Sequence, residues 1–286
     1  MLRCADPDEK ARLTKIYASA WRNGTLDEIQ AKAEAEEEGP PKRPCRDGRV
    51  RVVKAHALKR RGKAGSLASR RAIVHGLVHV ESWAVDLAWD AVARFGRNED
   101  MPKAFYDDFV TIAEDEARHF CLLQQRLNDM GAEYGDLEEH DGLWESAEET
   151  SHSLAARLAV EHCTHEARGM DVLPTTIARF RNAGDHETAD VLEKVVYPEE
   201  ISHCKAGVRW FKYLHERGRV CLGDGTPVVE EAVCKAFHRV VREHFKGNLK
   251  PPFNEKARCE AGFEPSWYLP LVEDEIDKQR RPQKLH

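Results

Sequence analysis

No stretch of the 286-residue chain approaches the roughly 18 consecutive apolar residues that a membrane-spanning helix needs. No two cysteines are spaced CxxC, and no Cys/His cluster has zinc-finger spacing, which excludes a rubredoxin-like iron site and a zinc finger. A glycine-rich nucleotide fingerprint is missing too, so no NAD or flavin site is expected in the chain itself. Solenoid repeats and low-complexity tracts are absent. Basic charge is not in excess: 44 Lys and Arg stand against 50 Asp and Glu, a formal net charge of −6, which argues against nucleic-acid binding by the whole surface. The opening residues MLRCADPDEK carry three acids and no apolar run, so they do not read as a secretory leader. The eight dispersed cysteines then read as free thiols in a reducing, cytoplasmic compartment, with Cys121, Cys163 and Cys204 as small core fillers.

What is present is a long helical middle. Residues 1–38 read as charged helix ending in the acidic run AEAEEEG, and Pro40, Pro41 and Pro44 break it. From Lys42 to Arg71 twelve basic residues face a single acid, Asp47, as expected of an arm salt-bridged to the body; an anion or RNA contact is the sharper alternative. Helical periodicity then predicts segments at 69–95, 102–130, 151–183 and 185–217, each closed by a glycine suited to the left-handed conformation: Gly96, Gly131, Gly184 and Gly218. Short connections make two hairpins, and 131–150 is long enough to cross a bundle. The expected fold is all-α: a ferritin-like four-helix bundle with a long crossover between helices two and three. The domain reading is 1–68 as an N-terminal helix and basic arm, 69–218 as the bundle, and 219–286 as a C-terminal helical extension with helices near 229–246 and 254–262.

Each of the four segments places a glutamate on the face that should be apolar. They are Glu81, Glu116, Glu166 and Glu200, and in the second and fourth segments a histidine follows three residues later, His119 and His203. A lone carboxylate in an apolar interior costs several kcal/mol, and four converging would also repel. A pair of divalent cations removes both difficulties, and Glu-x-x-His puts both side chains on one helix face, a turn apart. Glu81 to Glu116 spans 35 residues and Glu166 to Glu200 spans 34, so the hairpins are near copies in register. His162 lies one turn before Glu166 and reads either as an extra ligand or as a satisfied core histidine. His165 points elsewhere, and His75 and His79 read as packing or hydrogen-bonding residues. Pro174 and Pro198 are expected to kink the third and fourth helices.

The segments HVESWAVDLAWD, DEARHF, YGDLEEHDGLWE, HEARGMDVLP, EEISHCKAGVRWF and LKPPFNEKARCEAGF resemble a ferritin-like family of unknown function related to tRNA-modifying di-iron monooxygenases. The resemblance runs over about residues 42–270 and is looser at VVYPEE, around Pro198. It implies Glu116 and Glu200 as bridging carboxylates, Glu81 with His119 on one metal, and Glu166 with His203 on the other. The cofactor expected is two metal ions, iron first, with manganese or a mixed Mn/Fe pair as alternatives.

The function expected is that of an oxygen-dependent, hydroxylase-like oxidoreductase of unknown substrate, supplied with electrons by a separate reductase. Iron storage or peroxide scavenging is one alternative, and a metal-stabilised scaffold without enzymatic activity is another. A small-molecule substrate is favoured over tRNA, although the basic arm and the basic residues Lys235, Arg239, Arg242 and Lys246 keep RNA in view.

Overall fold

The computed structural model describes residues 1–26, 39–58, 62–220 and 230–280. Among these, every regular element is helical, and the only extended pairing is an isolated parallel bridge between Val52 and Glu139. The chain forms two compact units, one of Met1–Glu148 with Pro174–Tyr197 and one of Glu149–Leu173 with Pro198–His286.

The first unit is built on two long helices. α1 (Pro7–Arg22) begins where the Asp6 carboxylate accepts the backbone N–H groups of Asp8 and Glu9, with Pro7 at the first position, where a missing N–H costs nothing. α2 (Leu67–Ala91) is capped by the Ser66 hydroxyl, and α3 (Lys103–Asp129) follows after a short connection. The α3 stripe Phe105, Phe109, Ile112, Ala113, Phe120, Leu123 and Leu127 is buried against α2, and Glu116 and His119 lie inside that stripe. α1 packs on α3. Lys10 of α1 reaches the wholly buried Asp86 of α2 at 2.6 Å, and Arg46 reaches the same carboxylate at 2.6 Å.

The basic arm lies against this unit, as its charge pattern suggests. Arg43 pairs with Asp141, Arg49 with Asp6 and Asp8, Arg51 with Glu138, and Arg70 with Asp185. The Arg46 guanidinium also sits 3.4 Å over the Trp83 ring, a cation–π contact that desolvation strengthens. Lys59, Arg60 and Arg61 lie outside the described residues, as does the acidic run at 27–38.

The connection after α3 is held by α2. His75 accepts the backbone N–H of Gly135 on Nε2, so its Nδ1 carries the proton given to Glu139 at 2.7 Å. His79 bonds the Tyr134 hydroxyl at 2.9 Å and Asp141 at 3.1 Å, and Trp83 donates to Asp141 as well. Asp141 opens α4 (Gly142–Glu149), a helix inside the expected crossover, and Trp144 of α4 stacks on Trp83 with ring centroids 5.3 Å apart. These contacts explain the HDGLW segment: its aspartate is a hydrogen-bond hub and its tryptophan a core anchor.

Among the described residues, three helices contain π-helical turns. α2 runs into one at Val92–Gly96. α5 (Leu154–Arg157) continues through one at Leu158–His165 into α6 (Glu166–Asn182), and α7 (His186–Val191) through one at Leu192–Val196 into α8 (Tyr197–Glu216). In the second of these, the Thr164 hydroxyl bonds the carbonyl of Ala159, five residues back. Gly131, Gly184 and Gly218 end their helices at positive φ, as expected. Gly96 does not: it belongs to the π turn, and its lack of a side chain instead leaves room for Tyr106, whose hydroxyl would stand 2.7 Å from an added Cβ.

The second unit takes its core from α8 and the C-terminal helices α9 (Glu230–His244), α10 (Glu255–Glu260) and α11 (Pro265–Arg280). Phe211, Phe237, Phe263 and Trp267 interlock, with the Phe237 and Trp267 centroids 4.9 Å apart. Such pairs are each worth about 0.5–1.5 kcal/mol beyond the area they bury. Asp171 of α6 accepts from the buried Arg258 at 2.6 and 2.9 Å and from the Asn254 backbone N–H. Pro174 has no N–H for the Met170 carbonyl, and the Asn254 side chain bonds that carbonyl instead, at 3.1 Å.

Candidate metal centre

Each unit gathers one of the two expected sets of donors. In the first, Glu81 comes from the middle of α2, and Glu116 and His119 come from one face of α3. His119 Nδ1 lies 3.3 Å from a Glu116 oxygen and 3.8 Å from a Glu81 oxygen, and all three side chains are buried. In the second unit Glu166 is the first residue of α6 after its π turn, and Glu200 and His203 lie in the first two turns of α8 after its π turn. His203 Nδ1 is 3.7 Å from a Glu200 oxygen. Within each triad one donor atom per residue can be chosen so that all lie within 4.8 Å of one another.

Each triad is therefore a carboxylate/histidine group that could hold a metal ion. Two carboxylates and one imidazole, all buried in the first triad and with Glu166 half-buried in the second, suit a divalent transition ion. The donor set fits that chemistry in both its residue types and its spacing.

The remaining histidines sort by contact. His75 and His79 are hydrogen-bonding residues, as their position suggests. His162 is buried beside Glu166, its Nδ1 4.0 Å from the Glu166 carboxylate. His165 packs edge-on against Phe245 and keeps 31 % of its side chain exposed. Of the cysteines, Cys163 and Cys204 are buried fillers in the second unit, the Cys204 thiol against the Cys163 carbonyl, and burial pushes both thiols up. Cys121 is exposed on the outer face of α3, contrary to the core position expected for it. Its neighbours Phe120 and Leu123 take the buried stripe.

One residue of chemical interest was not anticipated. Glu161 sits within the π turn Leu158–His165, its side chain wholly buried, with no hydrogen-bond partner on either carboxylate oxygen. The signal was present in the order Glu161-His162-Cys163-Thr164-His165-Glu166, an acid and an imidazole repeated in reverse.

A helical carboxylate/histidine protein is the class these observations define. Residues 3–269 match the family described as "Protein of unknown function (DUF455)", and the chain belongs to that family. An "Uncharacterized protein" of Haemophilus influenzae is 30 % identical over 271 residues, covering 92 % of this chain and 88 % of the relative. No solved structure matches the chain.

Proposed function

We propose that this protein is a non-haem di-metal carboxylate protein acting as an oxygen-dependent, hydroxylase-like oxidoreductase. The observation that carries the proposal is the recurrence of one buried donor set, a glutamate plus a Glu-x-x-His pair, once in each unit. In this reading the two triads share one pair of ions within a ferritin-like four-helix bundle over 69–218, flanked by the N-terminal arm and the C-terminal extension. Glu116, Glu81 and His119 would hold one ion and Glu200, Glu166 and His203 the other, with Glu116 and Glu200 as the carboxylates the two ions would share.

A reduced iron pair, when bound, supplies the electrons that activate dioxygen. The chain's own part is to hold the anionic donors, keep bulk water away, and leave room for oxygen and a substrate. The apolar stripe around Glu116 and His119 supplies that shielding in the first unit. Electrons come from a separate reductase.

A small-molecule substrate is favoured over RNA because the described arginines of the arm are engaged. Arg43, Arg46, Arg49 and Arg70 all bond carboxylates, and Lys246 pairs with Glu149. Among the described residues no helix is long and apolar enough to cross a membrane. The described cysteines are free thiols, in keeping with a reducing, cytoplasmic setting.

The test is anaerobic iron loading and reduction, then exposure to oxygen with metabolite and tRNA fractions searched for a gain of one oxygen atom. A modified small molecule is expected. Oxidation of bound iron without any product, accompanied by mineral formation, would replace this reading with storage.

A further inference from the structure

The π turn Leu158–His165 and the residue that follows it, Glu166, carry two overlapping acid–imidazole pairs of opposite order. Glu161 and His165 stand 3.9 Å apart, and His162 and Glu166 stand 4.0 Å apart. The second pair includes a member of the metal triad. The first pair spans from solvent to interior: His165 keeps 31 % of its side chain exposed, and the Glu161 side chain has no exposure. A buried carboxylate with no hydrogen-bond donor on either oxygen is strongly unfavourable unless a positive charge meets it. The His165 ring stands 3.9 Å from it, an imidazole that binds divalent cations as readily as a carboxylate does.

We propose that Glu161 and His165 form a transit station for divalent cations, through which metal enters from solvent toward Glu166 and the second triad. The inference rests on the dinuclear reading given above and deepens it. Two protein donors are too few to retain an ion against a site of three, so the station passes its cargo on. The reversed order puts an acid beside an imidazole twice, at Glu161-His162 in the middle of the π turn and at His165-Glu166 where it passes into α6. An ion leaving His165 and Glu161 therefore meets the same ligand chemistry at His162 and Glu166.

The experiment follows loading of the metal-free full-length protein with Co²⁺, by the visible absorption of the bound ion after rapid mixing and by elemental analysis at equilibrium. Glu161→Gln removes the charge at constant shape, and His165→Ala removes the partly exposed donor. Both variants are expected to reach the wild-type metal content while loading measurably more slowly than the wild type. If Glu161→Gln fails to fold by circular dichroism, His165→Ala carries the test alone. Loading at the wild-type rate overturns the inference. A reduced final metal content in Glu161→Gln also overturns it, because Glu161 would then be a resident ligand. A protonated-carboxyl infrared band that vanishes in Glu161→Gln while loading is unchanged would assign the neutralising charge to a proton. Failure of the wild type to bind metal would instead overturn the dinuclear reading, and the transit station with it.

Discussion

Gly207 of α8 packs directly on the backbone of His162: a Cβ added to Gly207 would stand 2.0 Å from the His162 carbonyl oxygen and 2.5 Å from its carbon. Nothing at that distance is a movable side-chain tip, so only a shift of one helix against the other relieves it. The contact joins the turn carrying Glu161 to the helix carrying Glu200 and His203. Gly207→Ala is expected to lower stability by about 1–3 kcal/mol, the usual cost of overpacking a filled core. Chemical denaturation checks this, and an unchanged midpoint would mean the helices slide apart freely.

The Asp141 hub makes stability pH-dependent with a definite sign. Burial alone would raise its carboxyl, but the bond from His79 and the charge of Arg43 outweigh burial and hold it below the ordinary value. A group depressed in the folded state stabilises above the unfolded-chain value, about 3.9, and that contribution is lost as the pH falls through the folded value. Asp185, held low by Thr188, Arg126 and Arg70 against the opposing effect of burial, acts in the same direction. Urea unfolding between pH 7 and 3 should show stability falling below about pH 4. Asp141→Asn should cost about 2 kcal/mol at pH 7 and flatten that fall.

Metal content provides the third check. Glu116→Ala and His203→Ala each remove a donor from a different triad, and elemental analysis of either is expected to show loss of stoichiometric binding. Two ions retained per chain in the double variant would refute the ligand assignment. Chelation should lower the melting temperature of the wild type, since a ligand at a hundred times its Kd stabilises the folded state by about 2.7 kcal/mol.

Thiol accessibility tests the placement of the cysteines. Brief alkylation of the native protein, mapped by mass spectrometry, should label Cys45 and Cys121 and leave Cys163 and Cys204 unmodified until denaturant is added. Labelling of Cys204 in the native state would contradict its burial.

Arg258 and Asp171 form a buried pair whose partners depend on each other. Arg258→Ala leaves the Asp171 carboxylate in the interior without its guanidinium and is expected to cost about 3–5 kcal/mol. Arg258→Lys should recover only part of this, because one ammonium cannot reproduce the two-pronged contact or the face-on packing 4.3 Å over Tyr268. Thermal melts of the two variants check the order.

The all-helical class and the approximate span of each long helix were legible from periodicity and from Gly131, Gly184 and Gly218. The six triad residues were legible because a charged residue on an apolar stripe stands out. The π turns were not, since an i→i+5 register inserts a residue without changing composition. That shift is also why Glu161 was missed: at 3.6 residues per turn, five residues set it about 140° away from Glu166, off the face read as the core. Gly96 looked like a helix stop, but the Tyr106 ring it accommodates comes from another helix and leaves no local mark. α11 was hidden by its prolines, Pro265 at its first position and Pro270 within it.

The bond from Asn254 to the Met170 carbonyl bears on how the chain can be divided. A polypeptide ended after α8 would keep every triad residue, yet would lose the side chain that takes up the carbonyl left by Pro174 and the guanidinium that neutralises Asp171. Four residues separate Glu166 from Met170, so these defects would open within about a turn of the second triad. A polypeptide shortened before Asn254 is therefore expected to be less stable around the second triad than one that extends through Arg258.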